Sequence, residues 1–223
     1  TICGTIFARK AVPAGLSGAT FQLIKLSLFT KYQRMSFFRK PYFSFSIFLL
    51  VFSNMLNAQI CTTLGQTPAT AFPVCGTSVF RQDIVPLCHT NPLYAPGCST
   101  QPNAAPYENR NPFFYRFTCY TAGTLGFTIT PLAANEDYDW QLYDITGKNP
   151  NDIFTDITII VAGNWAGTYG PTGASATGVT GIQCASTPSD NAPTFAKMPT
   201  LIQGHEYILL VSHFTDTQSG YNL

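Results

Sequence analysis

Asp137-Tyr138-Asp139-Trp140-Gln141-Leu142-Tyr143-Asp144 decides the fold class. Successive side chains of an extended strand point to opposite faces. The run therefore turns Tyr138, Trp140 and Leu142 to one side, and Asp137, Asp139, Gln141 and Tyr143 to the other. Working outward, Thr124 to Thr130 alternates in the same way, with Leu125, Phe127 and Ile129 on one face. Phe113 to Tyr120 is aromatic and β-prone, and with Thr124 to Thr130 it predicts a hairpin buried on one face. A fourth strand is expected over Ile157 to Ala162. The segment His205 to Phe214 is apolar on both faces at its centre, as a central strand covered on both sides would be. A last strand begins near Tyr221. No long 3.6-residue repeat interrupts this pattern, so the expected class is all-β, an antiparallel β-sandwich of jelly-roll type.

Composition divides the 223-residue chain in two. Its 12 Lys+Arg nearly balance its 11 Asp+Glu. All the acidic residues lie after position 80, however, whereas seven basic residues precede position 41. Residues 59–223 carry five Lys+Arg against 11 Asp+Glu, a net charge of −6. Such a body lacks the basic footprint of a nucleic-acid binder.

The first methionine is Met35, followed by Arg39, Lys40 and an apolar run from Tyr42 to Leu56. A charged start, a run of about 15 apolar residues and a small residue at the end describe a secretory signal peptide, whereas a membrane span needs about 20. The expected cut follows Ala58 and leaves Gln59 first, which implies no membrane span after cleavage. Ile60 before Cys61 does not suit a lipid anchor. Residues 1–34 read as upstream sequence translated in frame, 35–58 as signal peptide, 59–111 as a disulfide-rich, loop-rich lead-in, and 112–223 as the sandwich. The lead-in reading rests on eight prolines between Pro68 and Pro112, which leave no room for a helix.

Export makes the cysteines informative. Cys61, Cys75, Cys88, Cys98, Cys119 and Cys184 form an even set in the exported body, which predicts three disulfides among 15 conceivable pairings. The shortest loops favour Cys61 with Cys75 and Cys88 with Cys98, leaving Cys119 with Cys184. A zinc site would use His89 beside Cys88, but no C-x-x-C pair supports one.

Six glycines fall between Gly163 and Gly181. The stretch lacks the G-K-[ST] ending of a phosphate loop and reads as a long sandwich loop. Core packing is the ordinary role of its aromatic residues, but exposed Trp165 and Tyr169 would form a ligand-binding platform against which a sugar could stack. No G-x-S-x-G elbow occurs. His205 and His213 stand at opposite ends of one strand, about 26 Å apart at strand rise, so they do not serve one catalytic centre.

Asn109 to Thr118, Gly123 to Pro131, Asp137 to Asp144 and Gly204 to Ser212 through Leu223 together resemble the N-terminal region of large secreted proteins of gliding bacteria, the type IX secretion class. More distantly they resemble CUB domains and bacterial pre-peptidase C-terminal domains, which are β-sandwiches. The resemblance implies further domains of the same chain, with the closing strand continuing past Leu223. It also implies a calcium site. In calcium-binding CUB domains an acidic residue before a Y-D-y strand, the Asp of that strand and a later turn Asp converge on the ion. Asp139 matches the second, Asp216 resembles the third and Glu136 loosely matches the first. Asp137 shares a face with Asp139 about 7 Å away, a cluster suited to calcium's six to eight oxygens. The function expected is that of a non-catalytic, secreted or cell-surface module for adhesion or for binding an extracellular glycan or protein ligand. The alternative is an accessory domain of a secreted protease or polysaccharide-degrading enzyme.

Overall fold

The computed structural model describes residues 61, 63–76, 79–88, 91–99, 107–215 and 217–223. The expected signal peptide, residues 1–34, His89 and Asp216 lie outside the described residues. The chain is all-β, as the alternation predicts. Its strands are β1 (Phe72–Pro73), β2 (Arg81–Ile84), β3 (Pro92–Leu93), β4 (Tyr107–Glu108), β5 (Phe113–Thr118), β6 (Gly123–Thr124), β7 (Phe127–Pro131), β8 (Tyr138–Asp144), β9 (Ile160–Asn164), β10 (Thr172–Ser175), β11 (Phe195–Lys197), β12 (Thr200–Leu201), β13 (Glu206–His213) and β14 (Ser219–Asn222). One five-stranded sheet has the order β1-β5-β13-β8-β9 and a second has the order β11-β10-β7-β14-β2, with β12-β6 and β3-β4 as separate ribbons.

The two sheets share one core. Tyr115, Tyr138, Trp140, Leu142, Leu209 and Val211 from the first pack with Ile129, Ala174 and Tyr221 from the second. Fully burying an apolar side chain of this size contributes about 1.5–3 kcal/mol. The phenols of Tyr115 and Tyr221 meet across this core at 2.8 Å, satisfying each other where water is excluded.

The sequence places β13 correctly: it lies between β5 and β8, and seven of its eight residues are buried. Three expectations need correction. Phe113 to Tyr120 and Thr124 to Thr130 do not form a hairpin, because β5 pairs with β1 and β13 while β7 pairs with β10 and β14 in the other sheet. The β1–β5 and β10–β11 pairs are parallel, so the sandwich is not wholly antiparallel. Strand four starts three residues late: Asp156 caps a 3-10 turn over Ile157–Ile159 by accepting from the Thr158 N–H, and extended structure begins at Ile160.

The cysteines also pair differently. The bridges are Cys61–Cys88 and Cys98–Cys184, Cys75 is also disulfide-bonded, and Cys119 is a buried free thiol donating to the Thr121 carbonyl at 3.2 Å. Shortest-loop pairing fails because the lead-in is spread across both sheets. Its β1 joins the edge of one sheet and β2 the edge of the other, which carries neighbouring cysteines in sequence to different parts of the fold.

Candidate functional site

Strand β8 is buried on both faces, with only Asp144 partly exposed. Tyr138, Trp140 and Leu142 point into the intersheet core. Asp139, Gln141 and Tyr143 alternate onto the outer face, which the Tyr107 segment and the Trp165 loop cover. Gln141 organises that cover: its Oε1 accepts from Trp165 Nε1 at 2.8 Å and its Nε2 donates to the Tyr94 carbonyl at 2.9 Å. Trp165 stacks on Tyr107 with centroids 5.1 Å apart and planes 7° from parallel. The Tyr107 hydroxyl accepts from the Ala185 N–H at 2.9 Å. Gly167 permits the close approach of the two covering loops, since a Cβ there would lie 2.1 Å from the Ser186 carbonyl oxygen.

These contacts leave a cavity of about 380 Å³ bordered by Tyr107, Arg110, Asp137, Asp139, Trp165 and Phe214, with Pro92, Glu108 and Ser186 also in its wall. Asp137 and Asp139 are only 4% and 5% exposed, and the Oδ1 atom of each has no hydrogen-bond partner. Among the described residues no cation pairs with either carboxylate. Arg110 is turned aside: its guanidinium lies 4.7 Å over the Phe214 ring and donates to the Phe214 carbonyl at 3.4 Å. Burial pushes the Asp137 carboxyl up to about 7. Burial, and then repulsion from Asp137, drives Asp139 up as well.

This pair works against stability at high pH. A carboxyl whose pKa is raised on folding holds its proton more tightly folded than unfolded, so stability falls as pH rises from the ordinary value of 3.8 through about 7. Asp139→Asn removes the like-charge neighbour. It is expected to stabilise the protein at pH 8 by roughly 1–3 kcal/mol and to flatten the decline between pH 4 and 7, as read by urea unfolding at several pH values. An unchanged pH profile would rule out the buried pair as its cause.

Of the residues expected to hold calcium, Asp216 lies outside the described residues. Asp137 and Asp139 border one cavity, whereas Glu136, two residues before β8, is engaged elsewhere. Its carboxylate accepts from His213 Nε2 at 2.7 Å, from Thr217 Oγ1 at 2.8 Å and from Thr215 Oγ1. Among the described residues no three His, Cys, Asp or Glu side chains are grouped to hold a metal. The sugar platform is likewise corrected. Trp165 is buried, with one face spent on Tyr107 and its N–H on Gln141, whereas Tyr169 is exposed. His205 pairs with Asp144 at 2.6 Å and His213 with Glu136, so the two histidines serve different places. Sequence reading missed Tyr107, Arg110, Gln141 and Phe214. Gln141 carried a usable signal, since the alternation sets it beside Asp139. Tyr107 and Arg110 sit in a proline-rich stretch with no period to read.

No protein-family model, curated protein or solved structure matches this chain.

Proposed function

We propose that this chain is a non-catalytic binding module of a larger secreted or cell-surface protein, and that the cavity at Asp137 and Asp139 receives its extracellular ligand. The supporting observation is the pair of buried carboxylates in the wall of one cavity, each with an Oδ1 atom that lacks a partner. Buried polar groups are normally satisfied, and an unsatisfied one costs about 1–3 kcal/mol. Two such groups at the wall of one cavity are better suited to a ligand than to the fold. Binding is favoured over catalysis because Asp137 and Asp139 stand side by side on one extended segment, whereas glycosidase carboxylates flank the scissile bond. The Thr215, His213 and Glu136 cluster does not suit a relay either. Thr215 and Glu136 both crowd His213 Nε2, whereas a triad holds nucleophile and carboxylate on different ring nitrogens. The Cys61–Cys88 and Cys98–Cys184 bridges favour an oxidising compartment, in keeping with the Met35 to Ala58 export pattern and the resemblance to secreted proteins of gliding bacteria.

The test is retention of the chain on extracellular polysaccharides and on matrix proteins, comparing wild type with an Asp137→Asn/Asp139→Asn variant of intact circular dichroism. Retention that the double variant loses is expected. Equal retention by both would remove the cavity as the binding site.

A further inference from the structure

Resting on that reading of the cavity, we infer that the Asp137–Asp139 cavity is a socket for a primary alkylammonium group, the side chain of a lysine on a basic partner protein. The two partnerless oxygens belong to different carboxylates on alternate residues of one extended segment. A guanidinium binds best as a planar fork on the two oxygens of one carboxylate. An ammonium is a compact cation with three rotatable donors, and suits acceptors contributed by separate residues. Carboxylates accept from N–H or O–H donors, which a quaternary ammonium lacks. The space, about 380 Å³, has the size of a ligand pocket rather than of a bare ion. A calcium-like ion would need six to eight oxygens, but among the described residues the carboxylates at this cavity are Asp137, Asp139 and exposed Glu108.

The rest of the wall fits the lysine stem. Pro92, Tyr107 and half-exposed Phe214 offer apolar surface in the same wall, and a lysine buries its methylenes on such surface while its charged end seeks acceptors. Trp165 and Tyr107 are stacked on each other, which leaves less aromatic face for a sugar ring. Arg110 does not neutralise the site, because it is held on Phe214. Over a longer range, residues 59–223 carry a net charge of −6, which draws a basic partner and raises its rate of encounter.

The test titrates the full chain with Nα-acetyl-lysine-N-methylamide, followed by calorimetry and by tryptophan fluorescence. Saturable binding is expected, weakened at least about tenfold by Asp139→Asn, by Nε-acetylation and by Nε-trimethylation of the probe. It should be unchanged in Asp156→Asn, a surface carboxylate paired with Lys148. Equal affinity for the Nε-acetylated probe, or no saturation with lysine, would overturn the inference. Calcium chloride or glucose binding that Asp139→Asn abolishes, in a chain that ignores lysine, would overturn the ammonium ligand but keep the cavity as the ligand site. Retention on extracellular material that the Asp137→Asn/Asp139→Asn variant preserves would remove both.

Discussion

Glu136→Ala is expected to destabilise the protein by about 3–5 kcal/mol, the range for removing one partner of a buried charged pair. Glu136 is 2% exposed and His213 is fully buried. The Glu136 carboxylate is the common acceptor for His213, Thr215 and Thr217. Alanine leaves the fully buried His213 ring without that acceptor, whereas Thr215 and Thr217 reach water. The His213 ring, stacked 4.5 Å from Tyr138, cannot swing out without disturbing the intersheet core. Glu136→Gln should cost less, since one amide oxygen still accepts while the amide nitrogen meets donors. The pH dependence has a definite sign. Burial raises the Glu136 carboxyl, but the hydrogen bonds from Thr215, His213 and Thr217 outweigh it and hold the group below its ordinary 4.5. Its contribution is therefore present above pH 4.5 and is lost as pH falls through the lower folded value. The Asp137–Asp139 pair acts in the opposite sense, eroding stability as pH rises from 3.8 to about 7. Together these groups place the stability maximum in mildly acidic solution. Urea midpoints across pH 3 to 8 check this, and in Glu136→Ala the acid-side loss should shrink to what Asp144, Asp156 and Asp190, also held below their ordinary values, contribute. A substitution that leaves the midpoint within experimental error would show that the cluster does not hold the Tyr138 end of β8.

Strand β8 shows what local sequence carries and what it omits. Alternation identifies Tyr138, Trp140 and Leu142 as core, and they are. Glu136, which the CUB resemblance grouped with Asp139, precedes the strand and turns to His213 instead. The outer face was legible in composition but not in environment. Two carboxylates and a glutamine look solvated until the Tyr107 segment and the Trp165 loop are laid over them, and no periodicity announces a cover built from irregular chain. The same limit explains the false hairpin. Alternation assigns faces, whereas partners depend on where a strand goes next, and the chain changes sheets between β5 and β7. Central burial, by contrast, leaves a direct trace: Tyr207 to Val211 is apolar at every position because both faces are covered. The cysteine pairing is legible only once the lead-in's edge strands are placed.

The Cys98–Cys184 bridge should matter more than Cys61–Cys88, both for stability and for the cavity. In the chain-entropy model a bridge gains with the length of chain it closes. The separations of 86 and 27 residues correspond to about 4.5 and about 3.5 kcal/mol. The longer bridge also lies at the cavity's cover. Cys184 adjoins Gln183, whose carbonyl accepts from the Trp165 N–H at 2.9 Å, and Ala185, whose N–H donates to the Tyr107 hydroxyl at 2.9 Å. Cys98 follows buried Leu93 and Ala95, which pack in the outer core with Tyr143 and Trp165. Cutting the bridge frees the covering loop from the lead-in at the point where both close over Asp137 and Asp139. The Cys98→Ala/Cys184→Ala variant should therefore lose roughly 2–5 kcal/mol, a melting-temperature fall of about 2–4 °C for each kcal/mol. Cys61→Ala/Cys88→Ala should fall less. Trp165 provides a local readout, because water admitted to the cavity reddens its emission below the melting transition while Trp140, fully buried between the sheets, stays unchanged. Recording the emission of a Trp140→Phe background isolates Trp165. Equal losses for the two double variants, with no early shift in Trp165 emission, would show that the cover is held by the Gln141 and Tyr107 contacts without help from the disulfide.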